Sequence, residues 1–285
     1  MSTRALALTG ILAAACVAPQ APQQPLVSMS IPMEVLKPDG AGPFPAVVML
    51  HDCSGLSARS SGAPRRWAKE LVGRGYVVAI PDSFSTRGFP AGVCVDASPN
   101  RLDVNPFNRV KDAYEALSYV RTLPYVKSDR VGVMGGSHGG TTTLASIAVL
   151  ARDPSRVAER KQHGFAAAIA LYPACAVGNP RWTVEYKPAA PLLILAGELD
   201  DWTPAIPCEQ LVEAATRAGA SATIKVYPDA HHSFDNANAL RFVPSRINAN
   251  APGQRGATTA GNPQAWADSI REVDAFFARH LVPGR

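Results

Sequence analysis

The chain has no run of lysines or arginines, although its 28 basic and 23 acidic residues leave a formal charge of +5. A nucleic-acid surface normally shows a basic stripe or interleaved aromatics, and neither is present, so no nucleic-acid partner is expected. The thin positive excess implies only a mild bias toward acidic surroundings or substrates. No CxxC pair and no Cys/His cluster with zinc spacing occurs, so no metal is expected. The G-x-G-x-x-G fingerprint is absent, and the one glycine cluster that could cradle phosphate, ending at Gly140, is followed by Thr141 where a Walker-type loop needs lysine. No cofactor is therefore implied. There is no internal repeat and no second domain boundary, and no pattern specifies an oligomeric state.

The N-terminal apolar run, "ALALTGILAAACVA" after Arg4, has 14 residues and is too short to span a bilayer. A basic start, a short apolar core and small residues at its end describe an export signal over 1–18. "AAAC" at Ala13 to Cys16 allows cleavage before Cys16, which would then carry lipid; simple secretion is the other reading, and both stay open. Membrane association is expected only through such an anchor. The polar "APQAPQQP" that follows reads as part of a tether over 19–29. Once Cys16 is assigned to the signal, Cys53, Cys94, Cys175 and Cys208 remain. An even number in an oxidising, periplasmic or extracellular compartment favours two disulfides, with three pairings open.

At 285 residues and 47% hydrophobic, the chain can bury one full-size core, expected over 30–285. Short runs rich in valine, isoleucine and leucine recur at 46–52, 76–82, 130–135, 166–173, 191–197 and 222–228. They are too continuous for strands with one wet face, and read as parallel strands covered on both sides. Between them lie expected helices at 63–74, 108–123, 139–152, 208–219 and 265–281. The alternation predicts an α/β fold with a mostly parallel central sheet and right-handed crossovers. The stretch 236–263, rich in Asn, Gly and Pro, is expected to be a long loop.

Against this frame "RVGVMGGSHGG" (130–140) is a G-x-S-x-G sequence between a strand and a helix, the setting of a nucleophile elbow. A serine there needs a base and an orienting carboxylate, in the order Ser, Asp, His for such a fold. "LAGELDDWTP" places Asp200 and Asp201 just past a strand end, and "YPDAHHSFD" places His231 and His232 past the next. Strand ends of a parallel sheet are where sites assemble. Which Asp and which His serve is open at this level. The oxyanion hole is expected from the backbone N–H groups of His138 and of Cys53, in "LHDCSGL". Asp52 either faces the serine or caps its loop, and His51 reads as orienting a loop. Trp202, Phe84, Phe89 and Phe107 are either pocket lining or core.

On "VVMLHDCSGL", "GYVVAIPDSF", "VGVMGGSHGG", "LAGELDDWTP" and "YPDAHHSFD", the chain from about residue 30 onward resembles the dienelactone hydrolase family of α/β-hydrolases. The resemblance implies a Ser137–His232–Asp200 triad, through the family patterns G-x-x-D-x-x-[VT]-P and Y-P-x-A-x-H-x-F. Founding members carry cysteine at the elbow where this chain has Ser137. They also hold a substrate carboxylate with arginines; Arg87 falls near one such position, and Asn236 stands at the other. These departures shift the implied activity from a dienelactone toward carboxylic esters or lactones in general, with Asp52, Arg87 and Trp202 as candidate substrate contacts. The family arrangement of strand ends also implies disulfides Cys175–Cys208 and Cys53–Cys94. An acyltransferase or a serine peptidase of the same fold is the alternative, and a non-catalytic binding protein is a third. The peptidase would normally carry a gating domain for which the chain has no room.

Overall fold

A computed structural model describes residues 30–150, 162–176 and 182–282. The expected export signal, with Cys16, and the tether lie outside the described residues. Seven strands form the central sheet: β1 (Met33–Leu36), β2 (Phe44–Leu50), β3 (Val77–Pro81), β4 (Val126–Gly136), β6 (Ala168–Leu171), β8 (Leu192–Gly197) and β9 (Ala222–Tyr227). Their spatial order is β1-β3-β2-β4-β6-β8-β9, and every pairing is parallel except β1 with β3. Two small antiparallel pairs are added, β5 (Ala148–Leu150) with β7 (Tyr186–Pro188) and β10 (Arg241–Ile247) with β11 (Arg255–Thr259).

The two-faced burial of the strands explains their unbroken apolar runs. Val48, Leu50, Ala168 and Ile194 point to a face covered by α2 (Val110–Thr122), α3 (His138–Ile147) and α4 (Ile206–Arg217). Their neighbours Val47, Met49, Ile169 and Leu195 point to the opposite face, under α1 (Ala63–Val72) and α5 (Pro263–Leu281). A period of two thus divides each strand between two apolar cores. Helix ends follow local chemistry. Pro64 opens α1, and Asn262 caps α5 by accepting from the Ala265 N–H at 3.0 Å.

After β2 the chain places β3 on one side of it, then returns to place β4 on the other. The connections leaving the C-terminal ends of β2 and β4 therefore diverge, which opens a crevice at that point of the sheet.

Two expectations are corrected. The segment 236–263 is not a structureless loop: it contains the β10–β11 hairpin. Its strands hide from pattern reading because Pro244 interrupts one, the register shifts between Val243 and Ile247, and most of β10 is exposed. The helix expected to run to 152 stops at Ile147, where the chain extends into β5 and the Ile147 carbonyl accepts from the Ala189 N–H at 2.8 Å.

Candidate active site

At the end of β4 the backbone turns into α3 through Ser137, which holds φ 53° and ψ −117°. A non-glycine residue at positive φ is strained, and the turn persists because its surroundings leave no alternative. A Cβ on Gly139 would lie 2.1 Å from the Leu50 carbonyl oxygen, and one on Gly135 would lie 2.6 Å from the Gly139 backbone. The glycines thus let α3 close directly onto β2 and β4, which lifts the serine hydroxyl over the strand ends.

Asp200 and His232 reach it from the loops after β8 and β9. His232 Nε2 lies 2.9 Å from Ser137 Oγ, and His232 Nδ1 lies 2.8 Å from Asp200 Oδ2. All three side chains are buried. Asp200 Oδ1 accepts from the backbone N–H groups of Trp202 (2.9 Å) and Thr203 (2.8 Å), which fix the carboxylate's orientation. The neighbouring Asp201 carboxylate instead accepts from the Thr258 N–H (2.8 Å) and hydroxyl (2.6 Å), and it is His232, not His231, that lies within hydrogen-bond distance of the serine.

Thr203 completes the arrangement and was not singled out by the sequence. Its hydroxyl lies 2.9 Å from both Asp200 Oδ2 and His232 Nδ1, and donates to the Tyr172 carbonyl at 3.0 Å. The imidazole packs against the rings of Tyr172, edge to face, and Trp202, tilted, with centroids 4.8 and 4.7 Å away. Tyr172 O–H in turn donates to buried Asp235, which also accepts from Trp67 Nε1–H. Burial raises the Asp235 pKa above the ordinary carboxylate range.

A cavity of about 320 Å³ opens onto Ser137. Its lining is mixed: Trp202, Ile247 and Ala249 are apolar, His138 and Arg101 are basic, and the Cys53–Cys94 pair borders it as well. The hairpin therefore contributes to the cleft, and it is pinned there. Trp202 Nε1–H donates to the Ile247 carbonyl (2.8 Å), and the Ile247 N–H donates to the Cys94 carbonyl (3.0 Å). Both disulfides are formed, Cys53–Cys94 and Cys175–Cys208. Among the described residues, no group of His, Cys, Asp and Glu is placed to hold a metal ion.

Of the candidate substrate contacts, Trp202 lines the cleft and two others do not. Arg87 is turned to the buried Asp112, in two hydrogen bonds of 2.6 Å, because that carboxylate needs a countercharge. Asp52 caps its own loop, accepting from the Ser54 N–H (2.7 Å) and from the hydroxyls of Ser54 and Ser61. Phe84 and Phe89 are core. His51 ties two strand-end loops: its Nε2 accepts from the Ser83 N–H at 3.2 Å, so the Nδ1–H donates to the Asp52 carbonyl at 2.8 Å.

Sequence reasoning also passed over Arg109. It is fully buried, and its Nη1 lies 2.7 Å from His138 Nδ1. Burial lowers its pKa to about 10. Its guanidinium packs over the Phe84 ring, 4.9 Å from the centroid. An arginine at the mouth of a helix carries no sequence signal for such a role.

Comparison with known proteins agrees with this architecture. A protein of Synechocystis sp., named as a candidate carboxymethylenebutenolidase, is 26% identical over 265 residues, covering 90% of this chain and 95% of its own. Among solved structures, a candidate dienelactone hydrolase from Klebsiella pneumoniae superposes with a TM-score of 0.63 at 21% identity, covering 87% of this chain and 93% of that one. The butyrate-bound esterase Est2 of Thermogutta terrifontis superposes with a TM-score of 0.61 at 18% identity, covering 91% and 95%. Residues 31–281, nearly everything that builds the sheet and the cleft, match the sequence model of the Dienelactone hydrolase family, and the chain belongs to that family.

Proposed function

We propose that the protein is an exported serine hydrolase that cleaves small carboxylic esters or lactones through an acyl-enzyme. The observation that carries this reading is the continuous hydrogen-bonded relay Ser137–His232–Asp200, with spacings of 2.9 and 2.8 Å, opening on the cavity. Ser137 Oγ attacks the ester carbonyl carbon while His232 Nε2 takes its proton, and Asp200 holds the imidazole and stabilises the imidazolium. The tetrahedral intermediate collapses as His232 protonates the leaving alkoxide. Water, deprotonated by the same imidazole, then releases the acid and restores the serine.

The negative charge that develops on the carbonyl oxygen falls to the N–H groups of Cys53 and His138. The first bond inside α3 runs from the Thr141 N–H to the Ser137 carbonyl, which leaves the His138 N–H without a helical acceptor, and the helix N-terminus favours an anion. A serine lacks a low thiol pKa, so the reaction depends on His232 throughout.

Ser137→Ala is expected to lower turnover of a p-nitrophenyl ester by about three to six powers of ten with the thermal midpoint little changed. Paraoxon supplies a direct test, since a Thermogutta terrifontis esterase of this fold is described as phosphorylated by it. The expected result is one phosphoryl adduct on the wild type at Ser137 and none on the variant. Retained turnover in the variant ends the reading. The two disulfides support an oxidising compartment. Mass spectrometry of the mature N-terminus, with or without lipid on Cys16, tests export and its form.

A further inference from the structure

The elbow residue after the serine brings to the cleft a side chain as well as a backbone N–H. His138 Nδ1 lies 2.7 Å from Arg109 Nη1. A guanidinium has donors and no acceptor, so Nδ1 must accept and the ring proton must sit on Nε2. Burial and the neighbouring Arg109 charge both push the His138 pKa well below its ordinary value, which keeps the ring neutral. Nε2 points away from Arg109, has no hydrogen-bond partner among the described residues, and is not among the sealed polar atoms. His138 and Ser137 line the cavity, and Arg101, which forms no ion pair among the described residues, lines it too.

Arg109 itself is left with Nε and Nη2 buried and unpartnered. Desolvating a cation whose N–H groups find no acceptor is costly. A fold that retains it at the elbow gains something from its one good bond, which is to His138.

We infer that His138, held by Arg109 as the Nε2–H tautomer, is a fixed hydrogen-bond donor in the cleft that selects esters with an oxygen acceptor in the portion lying against it. This rests on the ester-hydrolase reading. His138 acts on substrate; Arg109 is a positioning residue behind it.

The test compares p-nitrophenyl methoxyacetate with p-nitrophenyl butyrate, near-isosteric esters that differ by an ether oxygen. In His138→Leu the ratio of kcat/KM values, methoxyacetate over butyrate, is expected to fall about tenfold. His138→Gln, which keeps a donor, is expected to recover most of the ratio. Equal loss on both esters would mean a packing role and overturns the inference. A second readout needs no turnover: the ¹⁵N–¹H spectrum of histidine-labelled Ser137→Ala. It is expected to show His138 as Nε2–H, shifted by the methoxyacetate ester and not by the butyrate, and as a tautomer mixture once Arg109→Met is added. An Nδ1–H signature, or no shift, overturns the inference. A wild type that hydrolyses neither ester overturns the hydrolase reading alone, because the spectra still decide the donor.

Discussion

At the scale of single residues, His232 is held on all sides. Asp200 and Thr203 share its Nδ1–H, and the rings of Tyr172 and Trp202 pack against it. Thr203 holds acid, imidazole and the Tyr172 backbone in one place. Thr203→Val keeps the shape and removes the hydroxyl, so kcat is expected to fall about tenfold while KM changes little, measured by steady-state kinetics. Asp235, behind Tyr172, makes a prediction about pH. Its folded-state pKa is raised, so between the unfolded value and the folded one the native protein binds more protons than the unfolded chain. Stability from this group is then present at low pH and is lost as pH rises through the folded pKa. Asp235→Asn removes that loss. In a series of urea titrations from pH 4 to 7, the stability difference between variant and wild type should move in favour of the variant as pH rises. A difference that stays flat, or moves the other way, contradicts the raised pKa.

At the scale of elements, some features were legible in the sequence and others were not, for physical reasons. Five inner strands could be read because burial on both faces demands unbroken apolar runs, the partly buried edge strand β9 is marked by its β-branched residues, and the expected helices fall within a few residues of the observed ones except at the end of α3. Ser137 and the Asp200–Asp201 and His231–His232 pairs could be placed near one another because all three lie just past strand ends of a parallel sheet. The β10–β11 hairpin could not, because its position depends on side chains far away in sequence. Asp201 accepts from the Thr258 N–H and hydroxyl, and the Asp201 carbonyl accepts from Asn248 Nδ2 at 3.0 Å. No period records such contacts. Arg109 is likewise invisible, because what it touches is decided by how α2 meets the elbow. The hairpin's dependence on one carboxylate can be tested. Asp201→Ala should loosen it from the cleft, raising KM several-fold and speeding amide exchange over 241–259. The thermal midpoint should drop by only a few degrees, since loss of these hydrogen bonds costs about 1–2 kcal/mol.

At the scale of the whole molecule, the two disulfides do different work although their geometry is similar. They close sequence separations of 41 and 33 residues, so each is expected to stabilise the fold by about 2–4 kcal/mol through the unfolded chain. Cys175–Cys208 joins the loop after β6 to the start of α4, inside the core face shared with Leu211 and Ala170. Neither of its cysteines is among the residues that line the cavity. Cys53–Cys94 instead ties the loop after β2, source of one proposed oxyanion donor, to the segment before α2. Cys94 also receives the Ile247 N–H, so this bond anchors the hairpin as well. Replacing both cysteines of the first pair by alanine should lower unfolding free energy by about 2–4 kcal/mol and leave kcat/KM at 25 °C within about twofold. The same replacement in the second pair should cost comparable stability and, in addition, lower kcat by about tenfold or more, because one oxyanion donor loses its fixed position. Denaturant melts and ester kinetics on the two double variants read both effects. An unchanged kcat in both would show that the disulfides serve stability alone and that the Cys53 loop needs no cross-link to meet the carbonyl oxygen.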